Sequence, residues 1–177
     1  MKRLVMILIE DDRSARKGIV ALIRAQAGIR VLATSVVFKV VLRNIRKTKP
    51  DLLLLSLGPE RDQSLTLAGA LHGEVPESRV IMVGLPALQV DVASFVRAGV
   101  SGFIMGDASF DRFLGTIHSV ARGIPVLPSE LTGSLFRQLT EYGARRPPRR
   151  TPGGKRLTSQ ERAAREGYGG SIIPPAE

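Results

Sequence analysis

Glu10 and Asp11 close a short apolar run, Leu4 to Ile9, and form the first group in the chain whose side chains could do chemistry. Adjacent carboxylates can hold a hard divalent cation such as Mg2+, which takes oxygen ligands and keeps several waters. Acidic residues at a strand-to-helix junction equally favour the positive end of the helix that follows, and the pair alone does not decide between the two. Ser56 follows a second apolar run, Leu52 to Leu55, and raises the alternatives of a serine nucleophile or a serine phosphosite. A nucleophilic serine needs a base within hydrogen-bonding reach. The chain has only His72 and His118, both read as helix-surface residues, and no Gly-x-Ser-x-Gly elbow surrounds Ser56. Neither alternative is favoured. With no cysteine, thiolate metal sites, disulfides and cysteine nucleophiles are excluded. No complete catalytic constellation remains, so the chain is expected not to be an enzyme.

The elements that must place these residues alternate in type. Strand-like runs rich in Val, Ile, Leu or Met span Leu4 to Ile9, Arg30 to Thr34, Leu52 to Leu55, Val80 to Val83 and Gly102 to Met105. Helical segments are expected at about Arg13 to Ala25, Val36 to Lys47, Ser64 to Leu71, Gln89 to Ala98 and Ser109 to Ala121. In the first, Ile19, Leu22 and Ile23 form an apolar stripe; in the last, Phe113, Ile117 and Val120 do. Gly28, Gly73, Gly99 and Gly123 stand where those helices should stop. The alternation predicts an α/β fold with a doubly wound parallel sheet, whose chemistry gathers at the carboxyl ends of the strands.

Beyond Gly123, Ser129 can cap a further helix to about Tyr142, with Leu131, Leu135 and Leu139 along one side. Residues 143–156 are rich in Pro and Arg and read as an extended linker without fixed structure. Thr158 and Glu161 then carry the spacing of a capping box, but Gly167, Gly169, Gly170, Pro174 and Pro175 break any helix that starts there.

Composition bounds the function. The chain has 177 residues, enough for one domain with an appendage. No apolar stretch approaches the roughly 20 residues needed to span a bilayer, and the expected location is the cytoplasm. The net charge is +10, and from Gly143 onward eight Arg or Lys face three Glu. Such an excess is usually a solvated surface, but it can also neutralise phosphates.

The motif Ile7-Leu8-Ile9-Glu10-Asp11-Asp12, with Arg16 after it, resembles the opening of bacterial response-regulator receiver domains. Lys49 to Leu57 is similar to their third strand, Arg79 to Val83 to the fourth, and Ala98 to Ser109 to the fifth with its loop. Pro125-Val126-Leu127-Pro128 and the following helix resemble the LuxR/NarL-type transcriptional subfamily, and Leu157 to Glu161 is similar to the start of its DNA-binding domain. The resemblance covers roughly residues 3–140 and implies a flavodoxin-like (CheY-like) five-stranded sheet, a C-terminal helix and a basic, mostly disordered tail. It divides the chain into a receiver-like domain (1–125), an extension helix (126–142), a linker (143–156) and a remnant of a helix-turn-helix domain (157–177).

The departures from the family carry as much information. The family's phosphoacceptor aspartate corresponds to Ser56, which cannot form an acyl phosphate and supplies no central metal-binding carboxylate. The hydroxyl and lysine positions that hold the phosphoryl group correspond to Gly84 and Gly106, and Phe103 takes the aromatic switch position. Only Glu10 and Asp11 carry over, a weak site for Mg2+, so no cofactor is expected. The implied function is a pseudo-receiver that signals through a protein partner or a homodimer. Losing acidic and basic side chains at the site should also open space there. The alternative is nucleic-acid binding through Arg145, Arg146, Arg149, Arg150, Lys155 and Arg156, without specific operator recognition.

Overall fold

Strands that are aliphatic at every position can be stable only with both faces covered. Leu52–Ser56 (β3) is buried at all positions, and Leu4–Ile9 (β1) at its last four. The computed structural model, which describes residues 3–34, 37–56, 61–86 and 91–145, shows how that cover is provided. Between β1 and β3 lie the helix Arg13–Arg24 (α1), the strand Ile29–Thr34 (β2) and the helix Phe38–Thr48 (α2). After β3 come Arg61–Glu74 (α3), Arg79–Leu85 (β4), Val92–Arg97 (α4), Val100–Met105 (β5), Phe110–Ala121 (α5) and Ser129–Arg145 (α6).

The sheet is parallel throughout, in the order β2-β1-β3-β4-β5. One face, including Ile7, Leu53, Met82 and Phe103, packs against Val41, Ile45, Leu71 and Phe95 of α2, α3 and α4. The other, including Leu8, Leu54, Ile81 and Ile104, packs against Ile23 of α1 and Ile117 and Val120 of α5. Asp51 ties the central strands together at their amino ends. Its carboxylate accepts a hydrogen bond from Val5 N (2.9 Å), its N–H donates to Val5 O (2.8 Å), and its carbonyl accepts from Arg79 N (3.1 Å).

All five expected strands form, with β4 and β5 longer than their apolar runs. Val126 pairs with β5 through Phe103 N to Val126 O (3.0 Å) and Val126 N to Ser101 O (3.1 Å). Gly28, Gly99 and Gly123 adopt φ of 83°, 90° and 89° after their helices. Gly73 does not end its helix, because α3 continues to Glu74. α4 starts at Val92 with Asp91 as its cap, accepting from Ser94 N (3.0 Å); the expected start at Gln89 lies outside the described residues. Helix α6 runs to Arg145, three residues beyond the expected end, and so takes in the first residues assigned to the linker. Its stripe is only partly used: Leu131 is fully buried and Leu135 packs on the core, but Leu139 is 52% exposed.

α6 is also fastened by polar contacts to α4. Gln138 Oε1 accepts from Ala93 N (2.9 Å), the Tyr142 hydroxyl lies 3.5 Å from Ser94 Oγ, and the Arg97 guanidinium sits 4.0 Å from the centre of the Tyr142 ring. The Ser94 hydrogen bond, followed by that to Arg97, holds the Tyr142 phenol below its ordinary ionisation range. Because the folded form ionises more readily, the phenolate adds stability above the unfolded phenol's pKa. Removing either partner, in Ser94→Ala or Arg97→Ala, should move Tyr142 ionisation to higher pH in an NMR titration.

Close packing of α5 on β5 depends on Gly102, where an added Cβ would come 2.7 Å from Val120 Cγ2. Gly102→Val is expected to lower stability by about 1–3 kcal/mol in urea unfolding through overpacking. Gly18→Ala, on an exposed stretch of α1 where nothing lies within 4 Å of an added Cβ, should instead raise it by about 0.4–1 kcal/mol.

Candidate functional site

Parallel pairing puts consecutive strand ends at one level. Ile9 pairs with Leu55, Ser56 with Val83, and Val83 with Ile104, so Glu10 leaves β1 beside Ser56. Glu10, Ser56, Val83 and Ile104 border a cleft of about 490 Å³ at the carboxyl ends of the strands. Such clefts are where ligands of doubly wound folds bind, next to the switch in strand order. The structure therefore brings together Glu10, Ser56, Gly84 and Gly106. Phe103 is kept apart: it is 2% exposed and packs in the cluster on the opposite face of the sheet.

Local hydrogen bonds orient the acidic run. Glu10 Oε1 accepts from Asp12 N (2.8 Å), the Glu10 carbonyl accepts from Arg16 Nη1 (2.8 Å), and Asp12 caps α1 by accepting from Ala15 N (2.6 Å). Half-buried Glu10 thus braces the turn into α1, and Asp11 is exposed. Among the described residues no cluster of three or more His, Cys, Asp or Glu is placed to hold a metal ion. With one Glu10 oxygen engaged and a hydroxyl at Ser56, Glu10 and exposed Asp11 are the acidic donors left for Mg2+, which is usually held by one or two carboxylates and several waters.

Ser56 is 8% exposed, and its hydroxyl has no hydrogen-bond partner among the described residues. Gly84 occupies a register shift between β4 and β5 with φ of +81°, where a bulge changes the course of the strand. That conformation suits glycine and costs an L-residue about 1–2 kcal/mol. Gly106 differs. Its N–H donates to Leu85 O (2.9 Å), and an added Cβ would meet Gly84 at an ordinary 3.7 Å, so nothing steric requires glycine.

The walls of the cleft are formed by residues that no sequence motif marks as a site. Ala15, Ile19 and Leu22 of α1 and Phe110 and Phe113 of α5 line it. The two phenylalanine rings stack with centroids 6.2 Å apart and planes at 14°. Leu22, expected on the core stripe with Ile23, is 53% exposed, whereas Ile23 is fully buried. The 3.6-residue period places both on one broad apolar side but cannot say where the core ends. Arg145 is the last residue of α6; Arg146, Arg149, Arg150, Lys155 and Arg156 lie outside the described residues, as do residues 157–177.

The two glycines should respond differently to substitution. Gly84→Thr is expected to cost about 1–2 kcal/mol in urea unfolding, and Gly106→Lys less than about 0.5 kcal/mol.

No family model matches the chain. Among curated proteins it is similar to the transcriptional regulatory protein LnrK of Bacillus subtilis, 23% identical over 136 residues that cover 76% of this chain and 62% of LnrK. The chain thus matches less than two thirds of that relative. Among solved structures it resembles a LuxR family DNA-binding response regulator from Silicibacter pomeroyi, with TM-score 0.61, 21% identity, and coverage of 71% of this chain and 98% of that one. It also resembles the isolated REC domain of RcsB from Salmonella enterica serovar Typhimurium, with TM-score 0.66, 13% identity, and coverage of 75% and 98%. The chain carries the receiver fold, and the proteins it resembles include transcriptional regulatory proteins and response regulators, one of them of the LuxR family.

Proposed function

We propose that this chain is a receiver-type module of transcriptional signalling that acts by protein contact, through a partner or a second copy, without aspartate phosphorylation and without enzymatic activity. The observation that carries this reading is Ser56, buried at the end of β3 where the family resemblance places the phosphoacceptor. A serine hydroxyl cannot yield an acyl phosphate. The glycines at positions 84 and 106 offer neither the hydroxyl nor the ammonium that would hold transferred charge. The fold supplies surface for such contacts: on α6, Phe136 is 65% exposed and Leu139 52%. Two-dimensional NMR of the full chain with Mg2+ and beryllofluoride should show no saturable shift at the amides of Ser56, Gly84 and Gly106. A stoichiometric shift there would overturn the reading.

A second reading, nucleic-acid binding, rests on the eight Arg or Lys against three Glu from Gly143 onward. Contacts of that kind neutralise phosphates and weaken steeply with salt. Anisotropy of a labelled duplex, titrated with the whole chain and with a version ending at Tyr142, separates the readings. Salt-sensitive binding lost on shortening would support the tail as an anchor; no binding by either form would leave protein contact as the function.

A further inference from the structure

The cleft at the strand ends is roomy and mostly apolar along its described walls. About 490 Å³ lies within the range of small-molecule sites, roughly 300–1,000 Å³. Its walls are apolar and come from two helices: Ile19 and Leu22 on α1, and the stacked Phe110 and Phe113 on α5. Polar groups gather at its base. The Ser56 hydroxyl, on a residue more than nine-tenths buried, has no partner among the described residues, and Glu10 uses only Oε1 in its contact with Asp12 N. Among the described residues lining the cleft, Glu10 is the sole charged one and none is Lys or Arg. An anion entering here would meet the Glu10 carboxylate.

We propose that this cleft binds a small, neutral, ring-containing molecule bearing one hydrogen-bond donor. The rings lie between Leu22 and the phenylalanine pair, and the donor faces Glu10 and Ser56. The inference rests on the reading that the site no longer takes a phosphoryl group, and it assigns the module a different input. Aromatic walls favour flat apolar bodies, which gain area burial and ring contacts together. A few convergent polar groups set orientation in sites of this kind. Ligand seated between α1 and α5 would touch both helices and the ends of β3, β4 and β5, so its occupancy can be read on the protein surface.

N-phenyl-1-naphthylamine, a neutral fluorophore with fused rings and one N–H, is a direct probe. Titrated into the full chain, it should show saturable enhancement at one site and shift the amides of Ser56, Gly84 and Gly106. Leu22→Glu, at an exposed rim position, should weaken binding by about tenfold, because a charge replaces apolar surface that the bound rings would cover. Ser56→Ala should weaken it by about fivefold, the loss of one hydrogen bond. Thermal unfolding identifies any variant that fails to fold, and Ala15→Trp then serves as a second block at the rim. Unsaturable enhancement, or equal affinity in all folded variants, would overturn the proposal. So would equal affinity for the anionic 1-anilinonaphthalene-8-sulfonate, or enhancement that disappears as the chain self-associates, which would give the cleft to a second copy. Failure with this probe while beryllofluoride also fails to bind would sink only the ligand proposal; beryllofluoride binding would sink the phosphorylation-independent reading itself.

Discussion

The parallel register of β1, β3 and β4 is the constraint on which the rest of the structure depends. Asp51 fixes it at the amino ends by bonding Val5 in both directions and accepting from Arg79 N. Everything at the carboxyl ends follows, because a strand shifted by one residue would exchange its two faces. With the register set, Ser56 falls level with Val83 and Ile104 on the α1 and α5 side, and Leu55, Met82 and Phe103 fall on the other. The cleft and the buried aromatic are therefore separate consequences of one alignment.

Much of this was legible in the sequence. Uninterrupted aliphatic runs such as Leu52 to Leu55 announce strands covered on both faces, and the alternation with amphipathic segments announces their parallel order. The family resemblance placed Glu10, Ser56, Gly84 and Gly106 at one site, and the structure brings them together at one end of the sheet. Less legible were features that depend on three-dimensional neighbours. β4 continues past Gly84 because a glycine with positive φ forms a bulge rather than an end, and β5 begins at Val100, before Gly102, where the missing side chain lets α5 pack closely. Gly73 looks like a stop in sequence, but α3 continues through it.

The cleft walls were hidden for a related reason. Hydrophobic periodicity groups Ile19, Leu22 and Ile23 on one side of α1, yet only contact with α5 and the sheet separates the buried Ile23 from the exposed Leu22. Physical reading also separates the two glycines. Gly84 is built into the backbone course, so a side chain there would strain the strand, whereas Gly106 could accept one.

The central claim is that the chain signals without phosphotransfer, and covalent chemistry tests it most directly. Full-length protein incubated with Mg2+ and acetyl phosphate should show no phosphoryl adduct by intact mass, with the variant Ser56→Asp treated in parallel. A stoichiometric adduct on the unaltered chain, mapped to the strand-end cleft, would contradict the account.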